Sequence, residues 1–126
     1  MIELFKEFTF EAAHQLAANV DPDHPYANLH GHSFKVEVFF RGEPNPDTGW
    51  IVDLAEVEQI LAPIRTQLDH SYLNSIDGLE RPTLENITRW IWHRVAPDLP
   101  GLDRVVVRRG TCNEGCVYHG DVRYGD

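Results

Sequence analysis

Positive charge is what this chain is short of. Its 11 lysines and arginines stand against 20 aspartates and glutamates, for a formal net charge of −9. Nucleic acids and anionic membranes call for a basic face, so neither is an expected partner. A small anionic ligand stays compatible, because one bound cation reverses the local potential. Cysteine is scarce too, with only Cys112 and Cys116. Their C-x-x-x-C spacing offers half of a four-cysteine zinc site. The first residues, Met1-Ile2-Glu3-Leu4-Phe5-Lys6, lack the charged region, apolar block and cleavage site of a secretory signal. Cytoplasmic residence is the expectation, with both cysteines as reduced thiols. No apolar run approaches the ~18 residues that suggest a membrane span. No repeat, low-complexity tract or Pro/Gly/Ser linker divides the chain. One domain over 1–126 with one core is expected.

What the chain does have is histidine at telling positions. Leu29-His30-Gly31-His32-Ser33-Phe34 opens a run, Phe34 to Phe40, that reads as a β-strand. Side chains alternate faces along a strand, so His30 and His32 point the same way. Upstream, Phe8, Phe10, Ala12 and His14 share one alternating register, and His14 ends that run. Antiparallel pairing of the two runs would bring His14 near His30 and His32. Three imidazoles without an obvious fourth ligand suit a tetrahedral zinc that keeps one position open. The alternative is three histidines with ordinary packing or surface roles.

The rest of the chain fits an α+β fold. Ile2, Leu4, Phe8 and Phe10 alternate with Glu3, Glu7, Thr9 and Glu11, although Phe5 and Lys6 interrupt the pattern. Residues 15–28, with Pro22 and Pro25, read as a loop between ligands. Residues 32–41 are the second strand, and Gly42 to Gly49 turn the chain. Asp53 caps a helix with Leu54, Val57, Ile60, Leu61, Ile64 and Leu68 on one face. Pro63 predicts a kink or break near Ala62. Residues 69–81 form a loop. Thr83 caps a second helix with Leu84, Ile87, Ile91 and Val95 in its stripe, and Trp90 and Trp92 join the core from its flanks. Leu102–Arg108 and residues 116–124 are the last strands, separated by a turn over Thr111–Gly115. The order ββααββ predicts a four-stranded antiparallel sheet with both helices on one face. Two helices leave the other face and the edges uncovered, so self-association is expected. His24, His93 and His119 have no constellation and read as solvent or packing residues.

The chain resembles the 6-pyruvoyl-tetrahydropterin synthases and the bacterial 6-carboxy-tetrahydropterin synthases. The resemblance lies in Phe8-Thr9-Phe10-Glu11-Ala12-Ala13-His14, the His30-Gly31-His32 stretch, Thr48-Gly49-Trp50-Ile51-Val52-Asp53, Leu68-Asp69-His70, Leu73-Asn74, Pro82-Thr83-x-Glu85 and Thr111-Cys112-x-x-Gly115-Cys116. It implies the tunnel fold, with subunits joined edge to edge into a barrel and trimers stacked as hexamers. It also implies zinc on His14, His30 and His32, and a small pterin-like substrate. For the bacterial branch that substrate is 7,8-dihydroneopterin triphosphate, on the route to queuosine and other deazapurines. In the implied mechanism a loop cysteine abstracts a proton, Asp69 and His70 relay protons, and a glutamate anchors the pterin ring.

Two of those parts are replaced. The family cysteine stands four residues before the first histidine of His-Gly-His, and Tyr26 occupies that place. The anchoring glutamate would precede Thr111, where the chain has Gly110. Tyr26 is either a loop aromatic or a substitute acid/base. An unperturbed phenol, with pKa near ~10, would need strong tuning for that role. Three readings follow: a zinc-dependent 6-carboxy-tetrahydropterin synthase, a divergent relative acting on another pterin-like substrate, and a non-catalytic zinc-bound oligomeric binding module. Retention of the Asp69-His70 pair favours chemistry over binding alone.

Overall fold

The computed structural model describes residues 1–121. Strand β1 runs over Ile2–His14 and β2 over His30–Gly42. They pair antiparallel along their whole length, from Ile2 opposite Gly42 to His14 opposite His30. Phe5 and Lys6 do not interrupt β1, because Phe5 finds a partner on the second face, its ring 5.2 Å from that of Phe39. Helix α1 spans Leu54–Leu68 and α2 spans Leu84–Val95. Strands β4 (Leu102–Arg109) and β5 (Glu114–Tyr118) complete one edge.

The sheet has five strands rather than four. Ser71–Tyr72, expected as loop, forms a short strand β3 that pairs parallel with Ala12–Ala13. The sheet order is β3-β1-β2-β4-β5, so it is not purely antiparallel. A two-residue strand carries too little pattern to be read from sequence. It is pinned by tertiary bonds, since the Glu11 amide donates to Asp69 Oδ1 at 2.9 Å and the His70 amide donates to the Glu11 carbonyl at 2.6 Å. The sheet stays open within one chain, with β3 and β5 as its outer strands.

Helix α1 is not broken at Pro63. The proline lies on its exposed side, and so does Gln59, whose carbonyl loses its helical donor. Water can satisfy that carbonyl, while Val57, Leu61, Ile64 and Leu68 hold the turns on either side against the core. Asp53 caps the helix by accepting from the Ala55 amide, and Thr83 caps α2 by accepting from the Asn86 amide.

One face of the sheet carries Phe10, Phe34, Val36, Val38, Phe40, Val105 and Val107, all buried against both helices. The Phe10 and Phe34 rings stack 4.7 Å apart next to the histidines. The helix-free face holds Glu37 paired to Arg108 at 2.6 Å and Arg104 paired to Glu3 at 2.9 Å. Strand β5 ends at Tyr118, and residues 122–124 of the longer expected strand lie outside the described residues.

Candidate metal centre and active site

The β1–β2 register decides the site. His14 sits directly opposite His30, and Ala12 opposite His32, so all three imidazoles fall at one end of the core face. One ligand atom from each lies within 4.8 Å of the other two. His14 is fully buried. Its Nδ1–H donates to the Pro82 carbonyl at 2.9 Å, and the Nδ1–H of His30 donates to the Asn28 carbonyl at 2.8 Å. A carbonyl can only accept, so both rings keep their proton on Nδ1 and leave the Nε2 lone pair free. For His32, Nδ1 lies 3.8 Å from Cys112 Sγ. All three Nε2 atoms are buried without a hydrogen-bond partner.

Three unpartnered buried acceptors aimed together would be costly unless they serve a cation. Burial drives the His14 pKa down to about 4, a shift that its bond to Pro82 opposes and that His30, His32 and Arg109 reinforce. Burial, then the nearby Arg109 charge, lowers the pKa of His32 as well. Neutral imidazoles are the form that binds metal. The donor set therefore fits a divalent ion taken through Nε2, with the Nδ1 partners orienting the rings.

Tyr26 lies in a short 3₁₀ turn, Pro25–Ala27, at the mouth of this cluster. Its ring stacks at 5.9 Å on that of His30, and about half of the residue is exposed. The chain thus brings Tyr26 to the three histidines. It holds His70 apart from them. His70 follows the end of α1 with φ at 56°, and its Nδ1 lies 3.1 Å from Asp69 Oδ2. The Glu11 amide first, then His70 and Arg65, hold the Asp69 carboxyl below its ordinary range. His70 and His32 border the same cleft of ≈ 490 Å³ together with Glu11, Ser33 and Thr111. Among the described residues, no hydrogen bond or ring contact links His70 to the cluster.

The family model described as 6-pyruvoyl tetrahydropterin synthase matches residues 3–121. The chain belongs to that family. Its relatives include a Synechocystis 6-carboxy-5,6,7,8-tetrahydropterin synthase, 38% identical over 123 residues and 91% of each chain. They also include a Pyrococcus furiosus dihydroneopterin monophosphate aldolase, 36% identical over 93 residues and 74% of each chain. The fold agrees with the Caenorhabditis elegans 6-pyruvoyl tetrahydropterin synthase at a TM-score of 0.85, with 23% identity and coverage of 95% of this chain and 96% of that one. The family is one of pterin-processing lyases.

The positions where the family resemblance implies a cysteine and a glutamate have places in the fold at Tyr26 and Gly110. Gly110 opens the 3₁₀ turn between β4 and β5, and a Cβ there would meet nothing within 4 Å. Sequence reasoning missed Arg109, whose side chain pairs with Glu114 at 2.6 Å, and it missed Cys112 beside His32. Continuing the alternation of Val105 and Val107 to Arg109 would have placed that arginine on the histidine face. The Pro82 and Asn28 carbonyls were not legible in any pattern. No helix among the described residues is long and apolar enough to cross a membrane.

Proposed function

We propose that this chain is a zinc-dependent lyase of the 6-carboxy-tetrahydropterin synthase type, acting on 7,8-dihydroneopterin triphosphate. The observation that carries the reading is the convergence of three buried, unpartnered Nε2 atoms in a pterin-lyase family member. His14, His30 and His32 would hold the metal through those atoms. When bound, zinc supplies a Lewis acid that acidifies C–H and O–H groups beside the substrate's side-chain oxygens.

The chain's own groups would move the protons. Asp69 holds Nδ1–H of His70, which leaves Nε2 as the basic atom of that ring. A pH near neutrality suits an imidazole for both taking and returning a proton. Tyr26 would stand where the family thiol acts. Its phenol reaches the metal cluster from the side of His30 and can donate a hydrogen bond to a substrate oxygen. The buried wall of Phe10 and Phe34 keeps water from the far side of the cluster. The open sheet and the uncovered outer strands support a homo-oligomer, trimer or hexamer, assembled as the family barrel.

A second reading has specific support. Tyr26 and Gly110 replace the proton-abstracting thiol and the ring anchor together, and one relative is a dihydroneopterin monophosphate aldolase. The chain would then cleave the side chain of another phosphorylated dihydropterin. Incubation of the zinc-loaded protein with the triphosphate and the monophosphate, followed by mass spectrometry, tests both. The 6-carboxy product supports the first reading. Side-chain cleavage without that product supports the second. Unchanged substrates that still bind would leave a zinc-bound binding module.

A further inference from the structure

Arg109 ends β4 and continues the core-facing alternation of Val105 and Val107. Lys35 pairs with Arg108, so Arg109 falls beside Phe34, at the end of the sheet that carries His32. The Phe34 ring lies 5.8 Å from that of His32, so Arg109 stands on the strand next to the one that carries the histidine. A cation is thus built into the wall of a cluster already suited to another cation. Two positive centres so close imply an anion that answers both.

The guanidinium has capacity left for one. Its side chain is only 13% exposed. Glu114 takes Nη2 at 2.6 Å, while Nε is buried with no hydrogen-bond partner. A buried, charged N–H donor is costly to leave unpaired. The next residue is Gly110, which opens the turn after β4 and adds no side chain of its own at this end of the strand. In a dihydroneopterin ester the phosphate hangs one carbon beyond the side-chain hydroxyls that a metal would hold. Anchors for the two groups must then be neighbours. The planar donor fork of arginine matches phosphate oxygens better than a point charge does.

We propose that Arg109, held in place by Glu114, binds the substrate's phosphate ester beside the histidine metal centre, and so selects phosphorylated over unphosphorylated pterins. This rests on the pterin reading above and adds the group that is recognised and the residues that recognise it.

Calorimetric titration of the zinc-loaded protein with 7,8-dihydroneopterin, its monophosphate and inorganic phosphate tests the idea. The wild type should prefer the monophosphate to the unphosphorylated pterin by roughly ten- to a hundredfold, the worth of one charge-assisted hydrogen bond. Arg109→Met should bring that ratio close to one, with zinc content and binding of the unphosphorylated pterin retained. Arg109→Lys should keep part of the preference. Glu114→Gln should lower it a few-fold by freeing the guanidinium. The double variant Arg109→Met with Glu114→Gln removes the unpaired carboxylate, in case the single change folds poorly. An unchanged ratio in a folded, zinc-loaded Arg109→Met or double variant would overturn the proposal. So would a wild type that does not discriminate. Wild-type protein that ignores pterins but binds inorganic phosphate through Arg109 would refute the pterin reading and uphold the anchor. Wild-type protein that binds neither refutes the anchor.

Discussion

The sulfur of Cys112 lies 3.8 Å from Nδ1 of His32, whereas His14 and His30 turn the same atom toward backbone carbonyls. A thiol is a weaker and more mobile acceptor than a carbonyl. His32 is therefore the least firmly oriented ring of the three. Cys112→Ala removes its partner. Metal affinity, measured by competition with a chelator, should fall by about 10-fold or more, as for other partners of metal-binding histidines. Cys112→Ser should recover most of the loss, because a hydroxyl still accepts from Nδ1–H. An alanine variant that binds metal as tightly as wild type would make the contact incidental.

Elemental analysis should find one zinc per chain, and less than one in His14→Ala, His30→Ala and His32→Ala. Removing one imidazole leaves two ligands, too few to hold the ion against water. Stoichiometric zinc in both His30→Ala and His32→Ala would show that these are not ligands.

Asp69 ties β3 to β1 through the Glu11 amide and holds His70 and Arg65. Its folded carboxyl lies below the ordinary range. Between pH values near its ordinary pKa of ~3.9 and its lower folded value, the unfolded chain binds the extra proton. The stabilisation is therefore complete above the ordinary value and is lost as pH falls through the folded one. Asp69→Asn should flatten this part of the acid-unfolding curve. Activity should fall as well, since the amide can present oxygen or nitrogen to His70 and no longer fixes its tautomer. A variant with the wild-type acid limb would contradict the role assigned to Asp69.

Tyr26 and Gly110 stand where the family resemblance implies a cysteine and a glutamate. A thiol has a pKa near ~8.5 and ionises more readily beside a metal than a phenol does. A carboxylate accepting hydrogen bonds from a ring can add roughly 1.5–3 kcal/mol per bond. Tyr26→Cys with Gly110→Glu should raise kcat/KM for 7,8-dihydroneopterin triphosphate above either single change, by roughly tenfold or more per restored bond. The open space at Gly110 leaves room for the longer side chain. A double variant no better than wild type would move the second reading ahead of the first.

Local pattern carried much of this protein. His-Gly-His at the mouth of an alternating run, with His14 ending another, was enough to foresee three imidazoles on one face, because strand geometry has a period of two. The stripe from Leu84 to Val95 was legible for the matching reason in a helix. Pro63 does not break α1, because propensity speaks for the isolated segment while the helix is held by four buried residues on its other side. Strand β3 was invisible, since its two residues are extended only by the bonds that Asp69 and His70 make to Glu11.

The sequence by itself determined the α+β class and the three histidines that converge on one face, both of which follow from residue identity and spacing along one strand or motif. Tertiary structure alone decided which imidazole nitrogens converge and what surrounds them. The Pro82 carbonyl is 68 residues from His14, Cys112 is 80 from His32, and Arg109 reaches the cluster only through the β2–β4 register. A tautomer is set by the partner that a ring nitrogen meets, and a buried charge by the pocket that encloses it. Neither partner nor pocket exists until distant segments pack together.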